Sequence, residues 1–98
     1  MTIKAKRSDS KLIIQIEGKI DSTTAPELND YIKSSLTGIQ ELEIDLEKVE
    51  YVSSAGLRSV LIAQKIMDKQ GKMFLSHVRN EIMEIFELTG FTNFLTII

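Results

Sequence analysis

Between residues 11 and 20, Leu12, Ile14, Ile16 and Ile20 share one parity, and Lys11, Gln15, Glu17 and Lys19 share the other. Ile13 alone is out of step. A period of two marks a strand with one buried face. Ser8-Asp9-Ser10 before it is a turn signal, so Thr2 to Lys6 reads as the first arm of a hairpin. Alternation returns in Glu41-Leu42-Glu43-Ile44-Asp45-Leu46-Glu47, where every odd position is acidic. One face of the sheet must therefore meet water, which disfavours a doubly wound fold with helices on both sides.

Between these strands the period changes. Thr24-Ala25-Pro26-Glu27 has capping-box spacing, and a proline fits a first helical turn because its missing N–H has no partner there. Leu28, Tyr31, Ile32, Leu36 and Ile39 follow at helical spacing, with Gly38 as the stop signal. A second helix is expected to start near Ser53-Ser54 and to carry Leu57, Val60, Leu61, Ile62, Ile66 and Met67, ending at Lys69 and Gly71. Leu57 and Leu61 should pack with Ile44 between helix and sheet. Lys72 to Val78 reads as a short strand. Asn80 is placed to cap a third helix holding Ile82, Met83, Ile85 and Phe86, with Gly90 as its stop, and Phe94 to Ile98 reads as a last apolar strand. The order is β-β-α-β-α-β-α-β. With right-handed crossovers it predicts a two-layer α/β sandwich: a mixed sheet of about five strands with helices packed mainly on one face.

Composition narrows the function more than the fold. A chain of 98 residues, 43% hydrophobic, supports one core, so residues 1–98 are expected to form a single domain. Twelve basic residues against fourteen acidic ones give a net charge of -2. Without a basic excess there is little attraction for a phosphate backbone or an anionic membrane, and neither nucleic acid nor membrane is expected as a partner. The absence of cysteine removes disulfides and thiolate metal sites and fits a reducing compartment. Met1 to Arg7 contains no apolar stretch of signal-peptide type, and no apolar run approaches the ~20 residues of a membrane span. A complete cytoplasmic domain is the expectation.

The conspicuous local feature is Val52-Ser53-Ser54-Ala55-Gly56-Leu57, four small residues where a strand gives way to an amphipathic helix. A serine here can accept from the free N–H groups of the first turn, while Ala55 and Gly56 let the helix approach the sheet. An exposed hydroxyl at the same place is also a site where a phosphate would be tolerated, and the two readings are compatible. A catalytic serine is disfavoured: His77 is the one histidine and no Gly-x-Ser-x-Gly is present. One histidine and no cysteine also argue against zinc. Asp21 follows a strand and is either a turn aspartate or a functional carboxylate. The second role requires the strands before Asp21 and Ser53 to run parallel, so that both loops leave one end of the sheet. The carboxylates of Glu41, Glu43, Asp45 and Glu47 read as a solvated face.

These residues resemble the STAS domain of bacterial anti-sigma factor antagonists along nearly the whole chain. Gly18-Lys19-Ile20-Asp21 is similar to the family's Gly-x-hydrophobic-Asp strand end, followed by a helix containing Ala25-Pro26. Leu46 to Leu57 is similar to its switch segment, and Leu88-Thr89-Gly90-Phe91 to its hydrophobic-Thr-Gly-hydrophobic ending. The resemblance implies a binding module without enzymatic activity, cofactor or metal. Ser54 would be the phosphorylated residue, with Ser53 as the alternative. Asp21, Ser53, Ser54, Ala55, Gly56 and Arg58 would form the partner-binding surface. The implied partners are an anti-sigma factor that is itself a serine kinase, bound when Ser54 is unphosphorylated so that a sigma factor is freed, and a metal-dependent serine phosphatase that restores this form. The pattern departs at Ser53, where the family's best-studied members carry Asp, and at Ala55, where a second hydroxyl is missing. A constitutive STAS interaction module in another signalling complex is the alternative.

Overall fold

The computed structural model describes residues 1–98. Four strands, β1 (Thr2–Ser8), β2 (Lys11–Ile20), β3 (Glu41–Val52) and β4 (Lys72–Ser76), lie side by side in sequence order. The hairpin β1–β2 is antiparallel and turns at Asp9, whose φ of 54° suits the short polar residues that enter the left-handed region. The pairs β2–β3 and β3–β4 are parallel, so each is joined by a crossover helix: α1 (Ala25–Ser35) and α2 (Ser54–Asp68). α3 (Asn80–Leu88) and a 3-10 turn (Phe91–Asn93) complete the chain. The mixed sheet with its helices is the expected α/β arrangement, with four strands rather than about five.

The buried side chains form one cluster of 22 residues between the sheet and the helices. Leu12, Ile14, Ile16 and Ile20 of β2, and Leu42, Ile44 and Leu46 of β3, all point into it. Across the open face, Lys4 and Lys48 lie 3.4 Å and 3.5 Å from Glu17, and Lys11 lies 3.1 Å from Glu41. The Lys4 hydrogen bond, then the charges of Lys4 and Lys48, hold the Glu17 carboxyl below its usual range.

Where local expectation and structure differ, packing gives the reason. β3 runs five residues past the alternating segment. It gains one residue on β2 between Gln15 and Glu17 and another between Gly18 and Lys19. Such bulges break the period of two, and beyond the first of them Val49 and Val52 are buried while Glu47, Lys48, Glu50 and Tyr51 are exposed. α1 ends at Ser35, short of the Gly38 stop. Gly38, at φ +79°, turns the chain so that Ile39 drops back into the core. Gln70 Nε2 then donates to the carbonyls of Leu36 at 2.6 Å and Ile39 at 2.7 Å. The capping box at Thr24 does not form. Thr24 Oγ1 instead donates to the Lys19 carbonyl at 2.9 Å and accepts from the Asp21 N–H at 2.9 Å. Arg79, not Asn80, is the residue that precedes α3, and it makes no side-chain cap.

The core and the last strand also depart from the expected pattern. Leu61 is half-buried and lies outside the core cluster. The buried stripe of α2 is Gly56, Leu57, Ser59, Val60, Ala63 and Met67, which leaves Leu61 on its flank. The fifth strand is reduced to a single bridge between Leu75 and Ile97. Leu75 donates to the Thr96 carbonyl and accepts from the Ile98 N–H, both at 2.9 Å. The 3-10 turn after Gly90 consumes part of the segment, Leu95 folds into the core, and β4 ends one residue after Leu75.

Candidate functional site

β2 and β3 run parallel to adjacent ends: Ile20 is registered against Val52, and the Ser53 N–H donates to the Ile20 carbonyl at 2.9 Å. Asp21 and Ser53 therefore leave the same end of the sheet side by side, the condition for a shared surface. Asp21 Oδ1 accepts from the Thr23 N–H at 2.9 Å and the Thr24 N–H at 3.2 Å. These bonds close the turn that launches α1 and fix a half-buried carboxylate beside the start of α2.

The two serines divide their work. Ser53 is the N-cap of α2: its backbone is extended, and its Oγ accepts from the Gly56 N–H at 3.4 Å. Ser54 is the first helical residue, exposed, and its side chain takes no part in any hydrogen bond of the protein. Gly56 is fully committed to packing. A Cβ there would stand 2.5 Å from the Ile20 carbonyl oxygen and 2.9 Å from side-chain carbons of Ile20 and Val52. The absent side chain lets α2 begin directly against β2 and β3, which holds Ser54 at the rim. Ala55 is half-buried, and its carbonyl accepts from the buried Ser59 hydroxyl at 3.2 Å.

One turn along α2, Arg58 is exposed. Ser54, Leu57, Arg58, Leu61, Thr89 and Phe91 line a shallow depression of about 240 Å³. The sequence-derived surface thus gains four residues, Leu57, Leu61, Thr89 and Phe91. Residues 57 and 61 stand one helical turn apart, so spacing alone does not separate Leu61 from the core face, and periodicity does not place the segment holding Thr89 and Phe91 in space. Gly90, at φ +76°, makes that placement by turning the chain after α3, while Thr89 Oγ1 donates to the Ile85 carbonyl at 2.8 Å. Leu88 (88% exposed) and Phe94 (66% exposed) add apolar area nearby in sequence.

His77 lies away from this chemistry in its contacts. Its Nδ1 is 3.1 Å from Asp45 Oδ1. Asp45, Glu47 and His77 bring their polar atoms within 4.8 Å of one another on the open side of the sheet. No local motif signals that grouping, because the carboxylates and the histidine are far apart in sequence. Asp45 also accepts from the Glu47 N–H at 3.0 Å, so one of its oxygens is already engaged twice. No helix is long and apolar enough to cross a membrane.

A STAS domain family model matches residues 2–98. BtrV of Bordetella bronchiseptica, a proposed anti-sigma factor antagonist, is 31% identical over 93 residues, covering 93% of this chain and 80% of that protein. The crystal structure of an anti-sigma factor antagonist from Mycobacterium paratuberculosis superimposes with a TM-score of 0.88 at 24% identity, covering 98% of this chain and 83% of that one. The Bacillus cell fate determinant SpoIIAA, solved in a phosphorylated form, has the same fold: TM-score 0.77, 13% identity, with 99% of this chain and 91% of that chain covered. Sequence match and architecture agree along the whole length, and the chain belongs to the STAS domain family.

Proposed function

We propose that this protein is an anti-sigma factor antagonist, a cytoplasmic binding module switched by phosphorylation at Ser54 rather than an enzyme. The unphosphorylated form binds an anti-sigma factor that is also a serine kinase, and so frees a sigma factor. The kinase transfers the terminal phosphoryl group of a nucleoside triphosphate to Ser54 Oγ, releasing the nucleoside diphosphate and the hydroxyl proton, and a metal-dependent serine phosphatase hydrolyses the ester with water, restoring the hydroxyl and releasing inorganic phosphate. Asp21, Ser53, Ala55, Gly56 and Arg58 shape the docking surface around that hydroxyl, with Leu61, Thr89 and Phe91 at its edge.

The observation that carries this reading is the division between the two serines. Ser53 holds the helix, while Ser54 is exposed and free of internal hydrogen bonds. Its modification leaves no internal group without a partner. Supporting it are the kinship with BtrV and the likeness to SpoIIAA, whose structure is known in a phosphorylated form. A phosphate adds about -1.5 to -2 charge. Buried in an interface where the partner offers no matching cation, that charge must lose its water, and a few kcal/mol lost weakens binding more than a hundredfold.

The test is a titration of wild type, Ser54→Ala, Ser54→Asp and Ser54→Glu against anti-sigma kinases encoded near the gene, with thermal melts alongside. Ser54→Ala should bind as wild type does and escape regulation. The acidic variants should bind more weakly at an unchanged melting temperature, and only partly mimic phosphate because a carboxylate carries about half its charge. Ser53 in place of an acidic residue favours one other reading, a constitutive interaction module. Equal affinity across all four proteins, with no phosphate on the Ser53-Ser54 peptide from native cells, would establish that reading instead.

A further inference from the structure

The protein has three arginines, Arg7, Arg58 and Arg79. Two are engaged: Arg7 Nε donates to the Asp9 carbonyl at 3.1 Å, and Arg79 Nε donates to the Glu47 carbonyl at 2.8 Å. Arg58 is exposed and has neither an ion pair nor a hydrogen bond within the protein. It stands four residues after Ser54 on α2, and the two line the same depression. No other charged side chain lines it; Glu84 and Glu87 of α3 line a separate one with Leu88.

We propose, resting on the phosphorylation of Ser54 inferred above, that Arg58 is the internal receptor for that phosphate. Side chains on a helix lean toward its N-terminus, so the guanidinium of Arg58 reaches back along the turn that carries Ser54. An acidic group one turn N-terminal to a basic one is the favoured order for an ion pair on a helix. The guanidinium fork also matches two phosphate oxygens, which an ammonium cannot do. Phosphorylation then acts twice at one place. It adds negative charge to the rim, and it engages the one arginine of that rim that was free to meet a carboxylate of a partner. The switch needs no rearrangement of the fold, because both groups lie on the exposed side of one helix.

The experiment uses the full chain with phosphoserine installed at residue 54 during synthesis, so it does not depend on any kinase. The phosphate is titrated by phosphorus NMR in the wild-type sequence and in Arg58→Gln and Arg58→Lys, each checked by thermal melt. At low salt the second ionisation in the wild type should fall about half a pH unit below that in Arg58→Gln, with Arg58→Lys in between. The difference should close in ~1 M salt, where screening reaches contact distance. The Arg58 Nε–H resonance should also move on phosphorylation of the wild-type sequence, a readout that needs no variant. Coincident titration curves at low salt with an unmoved Nε–H resonance would overturn the role of Arg58 and leave the kinase reading intact. Absence of phosphate on Ser54 in native cells would do the reverse.

Discussion

At the scale of single residues, the site depends on hydroxyls and carboxylates with separate structural duties. Ser53 supplies the cap, so Ser53→Ala should cost about 0.5–1 kcal/mol in a urea unfolding series. Ser54→Ala breaks no hydrogen bond and should fall within about 0.5 kcal/mol of wild type. A reversed order would mean that the cap and the switch have been exchanged. Glu17 contributes to the acid limb of the stability curve. Its carboxyl is held below the usual range by Lys4 and Lys48, so the folded state favours its charged form. The stabilisation is complete above the unfolded value of about 4.3 and is lost as pH falls through the lower folded value. Glu17→Gln should therefore flatten the dependence of the urea midpoint on pH below about 4.5 and leave the slope near pH 7 unchanged. An acid limb equally steep in the variant would assign it to other carboxylates.

At the scale of elements, the start of α2 decides where the switch sits. Gly56 lies where a Cβ would press on the Ile20 carbonyl. Gly56→Ala should thus destabilise by about 1–3 kcal/mol despite alanine's higher helix propensity, because backbone cannot yield as a side-chain tip can. Leu57 and Leu61 make a paired test of the helix facing. Leu57 is in the core cluster and Leu61 is half-buried on its flank. Leu57→Ala should cost about 2–5 kcal/mol and Leu61→Ala clearly less, while Leu61→Ala should weaken partner binding. Equal destabilisation by the two would place both leucines on the core face of α2.

At the scale of the whole molecule, β2 and β3 lie inside the sheet, whereas β1 is an edge strand with nearly all its side chains exposed. Amide exchange should be slowest along β2 and β3 and markedly faster along β1 and the single bridge at Ile97, since local opening there exposes little apolar area. Uniform protection would indicate that the edges open only with the core. The sequence by itself determined the strands β1 and β2, the three helices and the small-residue junction at Ser53 to Leu57. Each is encoded within a few neighbours, by a period of two, a period of 3.6 or a cap. It also pointed to Asp21, Ser54 and Arg58 through family resemblance and motif order. Only the tertiary structure decided that β3 continues through two bulges, that Asp21 rather than a capping box closes the turn before α1, and that the C-terminal segment makes one bridge. It likewise moved Leu61 out of the core and set Thr89 and Phe91 beside Ser54. The physical reason is common to these cases. A local pattern states which side of an element is apolar, but register across a parallel pair, the neighbour that accepts a hydrogen bond and the rotation of a helix on a sheet are fixed by residues distant in the chain.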